Sequence, residues 1–150
     1  MNKRGQFYLL AAFIIIGVMV AFIAISNYSE RQSFSKIKDL GAELSIEGPK
    51  VIDYGTYNGT SKMENFTQQF ATYAGSDVSI YYVVGKEEAV EGYWYSNGQK
   101  KNLEITEDPG ENKIFTTINE IDYEFDLMPG ENFYYVVSQF INGEEHVLSG

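Results

Sequence analysis

Between Arg4 and Glu30 the chain carries no charged residue, and inside that interval Phe7 to Ile25 reads FYLLAAFIIIGVMVAFIAI. As a helix, those 19 residues would reach about 28 Å, close to the hydrocarbon thickness of a bilayer. They also exceed the roughly 7–15 apolar residues of an ordinary secretory signal. Helix is the expected state, because backbone in lipid must satisfy its own hydrogen bonds. In a chain of 150 residues little remains to surround so uniformly apolar a helix. Lys3 and Arg4 are the only cations before Arg31, and they favour a cytoplasmic N-terminus with the remainder outside.

Charge then narrows the function. All 21 acids lie in residues 30–150, so with Lys3 and Arg4 set aside 9 cations face 21 acids, a net of −12 in a chain of net −10. Such a surface repels phosphate, and no nucleic-acid partner is expected. With no cysteine, disulfide frameworks and thiolate metal sites are excluded.

Three fates are open to the apolar segment. It stays uncut as an anchor, it is removed by signal peptidase after the small residues flanking Ile25 (Ala24 and Ser26), or it is cut ahead of the apolar run, after Gly5. Lys3-Arg4-Gly5-Gln6-Phe7 resembles the class III signal peptide of archaeal type IV pilins and archaellins. The resemblance implies a short basic leader ending at Gly5, cleavage by a prepilin peptidase, and a mature chain that begins at Gln6 and keeps its helix. Bacterial pilins usually carry Glu five residues into that helix, where this chain has Leu10; archaeal relatives often lack it.

Beyond the apolar run, YSERQSFSKIKDLGAEL places Phe34, Ile37, Leu40, Gly41 and Leu44 on one side at spacings of three and four. This is an amphipathic continuation, expected to end near Ile46 because Gly48-Pro49 breaks helices. The expected organisation is a leader over 1–5, a hydrophobic transmembrane or filament-core helix over 6–28, an amphipathic extension over 29–48, and an extracellular head over 49–150.

Within the head, Ser61 to Ala74 reads as a helix with Ser61 as N-cap, Glu64 three later and Gly75 past its end. Strands follow. DVSIYYVVG is apolar on both faces and suits an interior strand. Three hairpins are expected, turning at Asn97-Gly98, Asn119-Glu120 and Asn142-Gly143. In the second, Ile121, Tyr123, Phe125 and Leu127 alternate with Asp122, Glu124 and Asp126, one face for the core and one for water. PGEN recurs at 109–112 and 129–132 as turn chemistry. The expected class is α+β: the long N-terminal helix packed on one C-terminal antiparallel sheet of five to seven strands.

No constellation points to catalysis. His146 is the single histidine, and neither Ser138 nor Ser149 sits in a nucleophile motif. Asp122, Glu124 and Asp126 share a strand face but sit about 7 Å apart, too loose for a cation loop. No cofactor or metal is expected. Sequons stand at Asn27, Asn58 and Asn65. Many of the 12 tyrosines fall in expected strands, among them Tyr81, Tyr82, Tyr93, Tyr95, Tyr123, Tyr134 and Tyr135, which suits core filling. A carbohydrate or subunit contact through Trp94 is the sharper alternative.

These readings converge on a non-enzymatic pilin-like subunit for adhesion or surface attachment. It would sit in the membrane before assembly and then in an extracellular filament. Its partners would be other copies of itself, the prepilin peptidase and the assembly machinery. Ala11, Ala12, Gly17, Ala21 and Ala24 offer small surfaces for close helix approach. The alternative is a monomeric single-pass membrane-anchored binding domain.

Overall fold

The computed structural model describes the backbone of residues 3–86, 89–96, 98–108 and 110–150, with side chains except at 3–11 and 26–34. The chain divides into two units, Met1–Ser35 and Lys36–Gly150. Helix α1 spans Lys3–Asn58 and α2 spans Met63–Ala74. Eight strands follow: β1 Ser79–Lys86, β2 Ala89–Ser96, β3 Gln99–Leu103, β4 Ile105–Asp108, β5 Lys113–Ile118, β6 Ile121–Asp126, β7 Glu131–Ile141 and β8 Glu144–Ser149.

The unit Lys36–Gly150 is built in three layers. A five-stranded antiparallel sheet runs in the order β3-β2-β1-β7-β8, and a three-stranded one in the order β4-β5-β6. On one face of the large sheet Ile80, Tyr82, Val84, Tyr135 and Val137 meet Ile37, Leu40 and Leu44 of α1 and Met63, Phe70 and Ala74 of α2. On the other face Tyr81, Val83 and Val136 meet Ile114, Ile118 and Phe125 of the small sheet. β1 is apolar on both sides because it is the central strand, covered by helices on one side and by strands on the other.

The expected class needs correction. Instead of one head sheet there are two, and the unit Lys36–Gly150 is mostly sheet. Among the described residues no helix is long and apolar enough to cross a membrane.

The expected break at Gly48-Pro49 also fails, since Pro49 lies inside α1. An interior proline costs about 3 kcal/mol. Beyond it Val51 and Ile52 pack on the core, and burying such side chains contributes up to about 1.5–3 kcal/mol each. Gly48 allows the approach, because a Cβ there would overlap the Phe133 ring. About two helical turns earlier, Gly41 lies against Leu148, and Tyr135 Oη donates to its carbonyl at 2.8 Å. Helix α2 starts two residues later than expected: Ser61 Oγ only accepts the Met63 N–H, at 3.4 Å.

The hairpin turns are where the sequence places them. Ser96 pairs with Gln99 around Asn97-Gly98, of which Asn97 lies outside the described residues. Ile118 pairs with Ile121, and Ile141 with Glu144. Asn119 and Glu120 both take positive φ, 50° and 67°, the tight turn that matches strand twist. A glutamate tolerates that region poorly. Glu120→Gly is therefore expected to stabilise the fold by about 1 kcal/mol, read as a higher urea midpoint with an unchanged slope.

Candidate functional site

The residues singled out for processing, Lys3, Arg4, Gly5 and Gln6, begin the helical backbone; their side chains lie outside the described residues, as do those of Ala11 and Asn27. The remaining packing positions, Ala12, Gly17, Ala21 and Ala24, are exposed, and a Cβ at Gly17 would meet nothing within 4 Å. The apolar residues between them are exposed too, from Val18 at 49% to Phe13 and Phe22 at 68%. Exposure extends over every residue from 12 to 25. It therefore encircles the helix instead of following one stripe.

The two described sequons differ sharply. Asn58 closes α1 and is exposed, with Gly59 at φ +65° turning the chain toward an exposed Thr60. This is the surface-turn setting a sequon needs. Asn65 lies inside α2, and its partner Thr67 is fully buried. Thr67 Oγ1 donates to the Glu64 carbonyl at 3.1 Å and lies 3.2 Å from Tyr93 Oη and 3.3 Å from Tyr95 Oη.

That buried threonine belongs to a polar cluster the sequence did not announce. Tyr82 Oη donates to the Thr67 carbonyl at 3.3 Å, and Tyr95 Oη to the Glu64 carbonyl at 3.2 Å. The cluster fixes α2 to β1 and β2. Lys100 closes its rim, 3.2 Å from Glu64 and 3.5 Å from Glu91, with its ammonium 4.4 Å from the Tyr93 ring centre. Partial burial pulls the Lys100 ammonium down, but Glu64 and Glu91 outweigh it and hold it above its usual value. The period-two spacing of Tyr93 and Tyr95 was the available signal. Its meaning depended on which helix covered them.

Burial raises the phenol of Tyr82 strongly and pushes that of Tyr93 up to about 12, the latter against the lowering effect of the Thr67 hydrogen bond. An unfolded tyrosine ionises near 10. Below that pH both states keep the proton and stability is flat. Above it only the unfolded state releases protons, so stability falls as pH rises from about 10 toward about 12, by about 1.4 kcal/mol per pH unit for each such phenol. Tyr93→Phe is expected to flatten that slope in urea titrations run between pH 9 and pH 12.

A second anchor joins α1 to the large sheet. Lys36 Nζ lies 2.9 Å from both Asp77 oxygens, and Gln139 Nε2 donates to Asp77 at 2.7 Å. The Lys36 hydrogen bond, partly opposed by desolvation, holds the Asp77 carboxyl below the usual range.

Groups considered for chemistry are kept apart. His146 pairs with Gln139, whereas Ser138 pairs with Val147 and Ser149 with Val136. Side chains alternate along strands, so His146 faces the opposite side of the sheet from both serines. Ser138 Oγ instead donates to Glu145. Of the acidic face, Asp122 accepts from Thr117 at 2.7 Å and Glu124 pairs with Lys113. Among the described residues no cluster of histidine or carboxylates could hold a metal ion. A groove of about 320 Å³ runs between the end of α2 and the β2–β3 turn, lined by Thr72, Ser76, Trp94 and Ser96. Trp94 does not offer it a bare ring: Tyr81 packs against it at 5.4 Å, and Lys101 lies 5.0 Å from its centre.

Comparison with family models, with curated proteins and with solved structures finds no match for this chain.

Proposed function

We propose that this chain is a structural, non-enzymatic subunit of an extracellular filament of the archaeal type IV pilus kind, assembled through its N-terminal apolar helix. The observation that carries the reading is the apolar surface exposed all round residues 12–25. A lone helix has nothing of its own to bury it against, and patches of this size mark interaction surfaces. Each large side chain taken out of water contributes about 1.5–3 kcal/mol. Lipid meets that need before assembly, and a bundle of identical helices meets it afterwards. The small residues Ala12, Gly17, Ala21 and Ala24 suit close approach of neighbours. The resemblance of Lys3 to Gln6 to a class III leader adds a route: a prepilin peptidase cleaves after Gly5, and assembly machinery draws the helix from the membrane.

Mass spectrometry of material sheared from native cells tests this. A polymer whose subunits begin at Gln6 is the expected result. A dispersed chain beginning at Asn27, or an uncut chain that stays with the membrane, would replace the filament with a secreted or anchored binding domain.

A further inference from the structure

Four strands end their sheets, and their charges are unequal. β4, β6 and β8 carry Glu107 and Asp108, then Asp122, Glu124 and Asp126, then Glu144 and Glu145. β3 alone carries cations and no acid: Lys100 and Lys101. An edge strand offers unpaired backbone donors and acceptors to another chain. Two β3 edges brought together antiparallel about a two-fold axis would set Lys101 against Lys101, whereas two β8 edges would set Glu144 against Ser149, so the like-charge penalty falls on β3. Like charges opposed in this way disfavour a symmetric, closed dimer. β3 against β8 of a second copy is complementary and stays within one kind of sheet.

We infer that neighbouring copies of this chain join β3 to β8, extending the large sheet from head to head. The inference rests on the filament reading and names the contact between heads. Direction agrees with charge. The five strands alternate, so β3 and β8 run the same way, and a copy moved sideways without turning meets its neighbour in parallel. The lysines lie near the start of β3 and the glutamates at the start of β8, so parallel pairing brings them to the same end.

Register gives a further constraint. Within one copy the row through Lys101 crosses Trp94, Tyr81 and Val136 and ends at Ser149. Sliding the neighbour by four residues, about 13 Å along the strands, sets Lys100 beside Glu144 and Lys101 beside Glu145. An even shift also preserves the faces. Lys100 opposes Tyr95 and Glu144 opposes Ile141, on the helix side of the sheet. Lys101 opposes Trp94 on the side of the small sheet, and Glu145 opposes Phe140, which alternation puts on that same side. A contact that joins unlike edges with a constant step does not close on itself and grows as a fibre.

The chain's lack of cysteine makes a direct test possible. Lys100→Cys and Glu144→Cys are placed in the same full-length chain, expressed in its native host and oxidised mildly. Inside one copy these positions sit four strand spacings apart and four residues out of register, more than about 19 Å and beyond the roughly 7 Å that a disulfide spans. Any bridge therefore joins two copies. The expected result is a ladder of covalent multimers on a non-reducing gel, collapsing to monomer on reduction and absent from either single-cysteine chain. Filaments that form without a ladder overturn the edge pairing and leave the filament reading intact. Chains that give neither filaments nor a ladder, while the unsubstituted protein also gives no filaments, overturn both.

Discussion

Ile16→Lys is expected to abolish filaments while leaving the thermal unfolding of the unit Lys36–Gly150 unchanged. Ile16 is 57% exposed in the isolated chain, so the substitution removes little packing there. The charge acts on what comes next. It costs about 2.5–3.5 kcal/mol in mid-membrane, and it would lie unpaired in a packed core of helices. Gly17→Leu separates these two stages. Leucine suits lipid, so insertion is expected to proceed normally, while the added bulk obstructs close approach and reduces the sheared polymer. The yield of sheared material and a circular-dichroism melt check both variants. Normal fibres from Ile16→Lys would mean that this surface is not buried on assembly.

The second large effect is inside the head. Leu44 is fully buried where α1 meets the large sheet. Leu44→Ala is expected to cost about 2–5 kcal/mol, a large part of the roughly 5–15 kcal/mol that holds a typical domain together. Ile46, two residues away and 56% exposed, is the control. Ile46→Ala should move stability by no more than about 0.5 kcal/mol. Urea titration of both variants decides whether the helix is integral to the folded head or merely attached to it.

Much of this head was readable because its signals are local. The alternation in β6 needs only neighbours in sequence: Phe125 is buried, Tyr123 and Leu127 are half-buried and Asp122, Glu124 and Asp126 are exposed, but Ile121, expected on the core face, is 44% exposed. The turns at Asn119-Glu120 and Asn142-Gly143 follow from Asn and Gly, residues tolerant of positive φ, beside β-forming runs, with Glu120 the strained member. What alternation does not encode is which layer an apolar face meets. Ile114 and Ile118 looked like members of one sheet, yet they lie in a second sheet packed on the first. The helix runs through Gly48-Pro49 for a similar reason: local propensity is overridden by contacts with Phe133 and the core, residues far along the chain. The sequon at Asn65 is a three-residue pattern, and the burial of Thr67 that sets it apart from Asn58 depends on Tyr93 and Tyr95 in a later hairpin.

The central strand β1 receives β2 from just after it in the chain, but on its other side it pairs with β7, Ser79 opposite Ser138. The helix beneath waits just as long: the Gly41 carbonyl takes its bond from Tyr135, and Leu148 lies against the same residue. During synthesis the apolar N-terminal segment therefore leaves the ribosome long before the head has the strands that complete its core. At the usual elongation rate of about 5–20 residues per second, that gap lasts several seconds. For that interval the head lacks the strands that complete its core, and it locks only when β7 and β8 arrive. The order of elements along the chain thus brings the apolar segment out well before the strands that complete the core of the head.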